Sequence, residues 1–426
     1  MTARRIVDIL TVPGRTGFFA DDQLAIRAGA RHDGFTYQGP PVTPGFTHIR
    51  QAGEALSVVL LLDNGDVAVG DCASVQYAGA GGRDPVFLAP QAAIAISAHV
   101  APLLLGQPAR SFRSMTAWVD AIRVDGRPLH TAVRYGVSQA LLDAVARGRH
   151  LTMAEVVRDE YDTGVEIAPV PMFVQSGDER YDSVDKMILK EVDALPHGLV
   201  NSVEGKLGQH GELLADYVRW VRDRVLALRR RADYAPTLHV DTYGTIGLIF
   251  GADTRRMGAY LARLGDLAAP FRLRVEHPVD AGSRDAQVSA LSALRNELRR
   301  LESDVELVVD EWCNTLADIE VFVAAEAADV VHVKTPDLGG LNDTAEALLL
   351  VRRSGLAAYC GGTCNETDRS AQVSAHVAMA CGADQILAKP GMGGDEGLMI
   401  VGNEMARTAA LVRTRAKAAA AAAAAS

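Results

Sequence analysis

From about Glu166 onward the chain repeats one unit, and that repetition constrains the fold more than any other feature. Each unit is a short apolar run closed by a polar residue, followed by an amphipathic helical stretch. The runs are PVPMFVQ ending at Gln175, TLHVD at Asp241, LRVE at Glu276, LVVD at Asp310, VVHVK at Lys334, LAAYC at Cys360 and QILAK at Lys389. Helical patterning fills intervals such as 211–231, 286–301, 343–353 and 366–380, and Gly355 and Gly382 stand where helix C-caps belong. Between Asp241 and Cys360 the runs end every 24 to 35 residues, room for one strand, one helix and two short loops. Repeated βα units of this kind predict an α/β fold, a closed (β/α)8-type TIM barrel. A doubly wound open sheet is the alternative, but no Gly-x-Gly-x-x-Gly turn follows a strand in this half.

The first 165 residues have a different texture. Ser57 to Ala73 reads as a hairpin turning at Asn64-Gly65, and Ala132 to Ala146 carries apolar residues at helical spacing. Strands first and helices after predict a separate α+β domain capping the barrel. The expected organisation is a cap over 1–165, a catalytic barrel over 166–416 and an alanine-rich tail over 417–426. The tail either extends the preceding helix or is disordered, and has no assigned role.

Composition serves mainly to exclude. A formal net charge of −10 repels nucleic acid and anionic lipid, and the one basic run, Arg229-Arg230-Arg231, reads as a solvated helix end. The five cysteines are odd in number and only Cys360 and Cys364 lie close, without a second pair to complete a zinc site. Reduced thiols in a cytoplasmic protein account for them. Asp8 and Pro13 break up the N-terminus, so neither a signal peptide nor a membrane span is expected there.

Three consecutive runs end in a carboxylate, Asp241, Glu276 and Asp310, and the next ends in Lys334. In a barrel the C-terminal ends of the strands meet at one mouth, where active sites are built. A single strand-end acid is more simply a helix cap or the partner of a surface lysine. Three in a row would repel one another unless a cation sat between them. Oxygen ligands with room for water and substrate suit Mg²⁺ or Mn²⁺. Lys334 beside such a cation could offer its amine as a general base, although a salt bridge to Asp310 is the plainer alternative.

Long motifs then carry a resemblance. GFTYQG (34–39), GDCASVQYAGAGGRDP (70–85), LHTAVRYG (129–136), QSGDERYDSVDKMI (175–188), HVDTYGTIG (239–247), DEWCNT (310–315), KTPDLGG (334–340), YCGGTCNET (359–367) and LAKPGMG (387–393) resemble the methylaspartate ammonia-lyase family of the enolase superfamily. The resemblance runs through nearly the whole chain except the alanine tail. It implies Mg²⁺ ligands at Asp241, Glu276 and Asp310, a base at Lys334 that removes the C3 proton, and a histidine, His197, on the opposite face. It implies substrate contacts from Gln175, Thr363 and Cys364, and from Gln76 of the cap. The family reaction removes ammonia from (2S,3S)-3-methylaspartate to give mesaconate, with K⁺ as an activating ion and a homodimer as the assembly. The C3 proton lies next to a carboxylate, so its loss makes an ene-diolate whose charge Mg²⁺ can hold.

Some assignments have rivals. His197 follows Pro196 and reads from the residues alone as a loop histidine, while Lys206 competes as second base because VEGKLG reads as a possible strand end. Cys364 has the plainer reading of a small packed thiol. Gln76 lies in a glycine-rich loop (Gly79, Gly81, Gly82) placed to reach over the barrel as a lid. One position departs from the family pattern: His332 stands where a substrate-binding glutamine is expected, and period-two geometry turns it the same way as Lys334. An epimerase or cycloisomerase using the same proton abstraction is the alternative function. A non-catalytic scaffold would be expected to have lost a metal carboxylate or the base, and none is missing.

Overall fold

The computed structural model describes residues 3–79 and 82–425. Its N-terminal part is a three-stranded antiparallel sheet in the order β1 (Ile6–Asp21), β2 (Arg50–Leu62), β3 (Val67–Cys72). The expected hairpin is β2–β3, with Leu61 opposite Val67 and Gly65 at φ +85°, a conformation that favours glycine. β1 was not read from the sequence. Val7, Leu10 and Val12 point largely to solvent, so its apolar residues do not mark a buried face.

The helix Thr131–Arg149 lies across this sheet and is buried all round from Tyr135 to Ala146. Its partners approach so closely that a Cβ on Gly136 would stand 2.4 Å from the Cys72 amide nitrogen. Smaller two-residue hairpins pair His32–Asp33 with Thr36–Tyr37 and Arg123–Val124 with Arg127–Pro128.

The barrel is closed and has eight parallel strands. They are β4 (Met172–Phe173), β5 (Ala194–His197), β6 (Thr237–Asp241), β7 (Leu273–Glu276), β8 (Glu306–Val309), β9 (Val330–Val333), β10 (Ala357–Cys360) and β11 (Gln385–Leu387). Around the ring they follow chain order, and β11 pairs with β4 to close it. Gln175, Asp310, Lys334 and Lys389 fall one or two residues beyond their strands, so they open the loops instead of closing the strands. β5 corrects the sequence reading: His197 ends a strand and is not a loop residue. Lys206 ends no strand; it lies in a π-helical turn, Val203–Leu207.

Helices Glu212–Leu228, Arg284–Arg300, Leu341–Arg353 and Asp368–Cys381 occupy the predicted intervals. Thr367 caps the last of these at its N-terminus, and Gly382 at φ +65° ends it. The alanine tail continues the helix Asn403–Ala425, and Ser426 lies outside the described residues. Inside the barrel, Phe173, Ala194, Val308, Val330, Tyr359 and Leu387 form an apolar layer beneath the mouth. All five cysteines are buried and unpaired, and no helix among the described residues is long and apolar enough to cross a membrane.

Candidate active site

All ten residues expected at the site line one small cavity of about 50 Å³ at the barrel mouth. His197, Asp241 and Glu276 end β5, β6 and β7; Asp310 and Lys334 directly follow β8 and β9. Thr363 and Cys364 come from the loop after β10, and Gln175 from the loop after β4. Gln76 arrives from the cap. Lys206 is excluded from this cavity; it lines the larger outer vestibule, with Nζ 2.7 Å from Asp178 and 2.9 Å from Asn201.

The carboxylates differ in what holds them. Glu276 has His239 Nε2 2.8 Å from Oε2 and His332 Nδ1 2.8 Å from Oε1. Burial acts to raise its pKa, yet these two rings outweigh burial and hold the carboxyl well below the usual range. Asp241 accepts the Tyr243 N–H at 3.1 Å and lies 3.4 Å from His197 Nε2. Burial and the neighbouring Glu276 raise it above the usual range. Lys334 straddles Asp310, with Nζ 2.6 Å from Oδ1 and 2.9 Å from Oδ2. Burial opposes its charge, but Asp310 prevails and the ammonium is held above its ordinary pKa. The salt bridge anticipated as the plainer alternative is therefore present.

Does this set suit a divalent cation? Glu276, Asp310 and His332 each offer one atom within 4.8 Å of the others, whereas Asp241 stands outside that group. His332 is nevertheless a poor ligand. Its Nε2 accepts the Gly362 N–H at 3.2 Å, and a backbone amide can only donate, so the neutral ring carries its proton on Nδ1 and donates to Glu276. His332 lines the cavity, but both ring nitrogens are engaged by protein. The ring orients Glu276 and does not take the place of the substrate-binding glutamine expected at this position. Gly361 is required beside it, since a Cβ there would stand 1.8 Å from Nε2. What fits the cation is the carboxylate set: Asp241, Glu276 and Asp310 are all buried at the mouth, and Asp241 is destabilised by the other two. Clustered carboxylate oxygens suit Mg²⁺.

The cap completes the cavity. Gln76 Nε2 donates to Asp21 Oδ2 at 2.7 Å, and Asp21 is forked by Arg50 at 2.8 and 2.7 Å. The Cys364 thiol donates to Gln76 Oε1 at 3.3 Å, and the Gln76 N–H points at Thr363 Oγ1 at 3.4 Å. Burial pushes the Cys364 thiol up to about 12, so it acts as a neutral donor. In the glycine loop, Gly79 and Gly82 are described and Gly81 is not. This loop delivers Arg83 to Asp337 at 2.8 Å and Glu311 at 2.9 Å, beside Lys334.

Sequence reasoning missed Arg83, Tyr243, His239, Arg274 and Gln385. For His239 and Arg274 a signal existed: each lies two residues before a strand-end acid, on the same inward face. Arg83 and Tyr243 come from loops and had none.

Residues 4–162 match the family model described as Methylaspartate ammonia-lyase N-terminus, and residues 164–414 match Methylaspartate ammonia-lyase C-terminus. The methylaspartate ammonia-lyase of Clostridium tetanomorphum is 56% identical over 96% of this chain and 100% of its own. The solved magnesium complex of beta-methylaspartase from that organism superposes with a TM-score of 0.93, again over 96% and 100% of the two chains. The Citrobacter amalonaticus enzyme, solved with (2S,3S)-3-methylaspartic acid, is 53% identical with a TM-score of 0.94, over 96% and 100%. A muconate lactonizing enzyme from Pseudomonas fluorescens, 18% identical with a TM-score of 0.58 over 88% and 85%, shares the fold alone.

Proposed function

The chain belongs to the methylaspartate ammonia-lyase family, and from that premise we propose that it is a carbon–nitrogen lyase eliminating ammonia from (2S,3S)-3-methylaspartate to give mesaconate. One arrangement supports this most: a lysine and a histidine on opposed strands, with three carboxylates between them. β5 and β9 stand four strands apart in either direction around the ring, and β6, β7 and β8 fill one arc. A substrate carbon held in the cavity meets Lys334 on one face and His197 on the other.

In this reading Lys334 removes the C3 proton and His197 serves the opposite face. Asp241, Glu276 and Asp310 would hold a Mg²⁺, which would supply positive charge for the substrate carboxylate beside the departing proton. Thr363, Cys364, Gln76 and Gln175 grip the carboxylates and the amine, and an error of about 1 Å in that grip costs on the order of 10²-fold in rate. The cap loop carrying Arg83 helps to keep water out. On the same reading Mn²⁺ substitutes for Mg²⁺, K⁺ activates, and the chain works as a cytoplasmic homodimer on a small amino-acid substrate. A cycloisomerase or epimerase outcome has behind it only the shared fold and cycloisomerase relatives at 23–24% identity.

The test is purified protein with 3-methylaspartate, following the absorbance of the conjugated product and the release of ammonia. Both should appear with Mg²⁺ and vanish on exhaustive chelation. Turnover without ammonia release, or turnover that survives chelation, overturns the proposal.

A further inference from the structure

A line of buried polar side chains crosses the barrel core from its lower end to Glu276. Glu306, at the start of β8, accepts from Arg274 Nε at 2.7 Å. Arg274 Nη1 donates to Gln385 Oε1 at 2.6 Å. Gln385 Nε2 lies 3.2 Å from His239 Nδ1, and His239 Nε2 lies 2.8 Å from Glu276 Oε2. Arg274, Gln385 and His239 are 6%, 1% and 0% exposed, so water does not compete with the bonds among them. The His239 ring is stacked on Phe173 at 4.2 Å with an interplanar angle of 7°, which fixes its plane.

The direction of every bond follows from the first. A guanidinium has donors only, so the Gln385 oxygen must face Arg274. Its amide NH₂ then faces His239 and donates to Nδ1. With Nδ1 occupied as an acceptor, the neutral ring carries its proton on Nε2, aimed at Glu276. Were the Gln385 amide turned over, Nδ1 would hold the proton and two acceptors would confront each other 2.8 Å apart. Apolar residues of similar volume often replace buried ion pairs without loss of stability, so packing alone does not call for this line.

We propose that Arg274 and Gln385 are positioning residues for Glu276: they fix His239 in the tautomer whose Nε2–H holds that carboxylate in place for the cation. The inference rests on the reading of Glu276 as a metal ligand. It adds a remote control of metal affinity by residues that touch neither metal nor substrate.

The test is Mg²⁺ binding by titration calorimetry on the full chain. Wild type binds, and Glu276→Gln removes binding; failure of either sinks the metal-site reading itself. Gln385→Met should weaken Mg²⁺ binding by about 10- to 100-fold, the usual cost of losing a partner behind a ligand. In a His239→Gln background no ring tautomer is left to set, so there Gln385→Met should have no further effect. No weakening in the wild-type background, or equal weakening in both, overturns the proposal. Should Gln385→Met not fold, the ¹⁵N signature of His239 in the wild-type protein decides: a proton on Nε2 supports the relay, and a proton on Nδ1 refutes it.

Discussion

Replacing Arg83 by methionine isolates what the cap contributes to the barrel mouth. Its side chain is 3% exposed and clamps Asp337 at 2.8 Å and Glu311 at 2.9 Å. Those carboxylates are themselves only 5% and 15% exposed. Methionine keeps the apolar stem and removes the charge and the donors. Two buried carboxylates then lose their directly paired cation and keep only the more distant Lys334, with Asp310 close by. Breaking a buried ion pair from one side costs about 3–5 kcal/mol. An unfolding entropy of about 2.1 cal/mol/K per residue over 426 residues amounts to about 0.9 kcal/mol/K. The variant's Tm should therefore fall by about 3–6 °C when the chain unfolds as one unit. Arg83→Lys keeps the charge but cannot fork two carboxylates, so it should lie between the two. Differential scanning calorimetry at pH 7 measures this. A methionine variant melting within about 1 °C of wild type would refute the reasoning, because that interval corresponds to less than about 1 kcal/mol.

Lys334→Ala should bind Mg²⁺ but lose at least about 10²–10⁴-fold in turnover, and near-normal turnover would remove Lys334 from its role as base. With Lys334 and His197 on opposed strands, the (3R)-diastereomer should react slowly through His197. His197→Asn should suppress that reaction more than the (3S) reaction, and equal losses would reduce His197 to a binding group. Away from the site, the His376 and Arg407 contacts lower the Glu404 pKa from 4.5 to about 2, against burial. Its folded pKa lies below the unfolded one, so the stabilisation is complete above pH 4.5 and is lost as pH falls toward 2. Glu404→Gln should flatten the acid branch of a denaturation midpoint-versus-pH curve, and an unchanged slope would mean that this contact does not couple to folding.

The parts of the fold legible in the sequence share one physical property. β6 to β10 are short runs buried on both sides, so apolar residues dominate them despite His239, Arg274 and His332 inside, and a charged residue ends or directly follows four of the five. That is why Asp241, Glu276, Asp310 and Lys334 could be read as a converging set. β5 carries the same information in four residues, one of them proline, which is too little pattern to separate it from a loop. β1 failed for the opposite reason: it is long but faces solvent on one side with valine and leucine.

What the sequence alone determined, then, is the set of chemical groups at the barrel mouth and the family to which they point. Local periodicity decides which side chains face inward, because a strand alternates every residue whatever it packs against. Only closure of the barrel decided that His197 and Lys334 oppose each other, since that depends on β11 meeting β4 across the whole ring. Only the tertiary structure seated Arg83 against Asp337, 254 residues away, and turned both nitrogens of His332 toward protein. The physical reason is that hydrogen bonds between distant segments leave no periodic trace along the chain. They are set by which donors and acceptors the packed backbones bring within reach of one another.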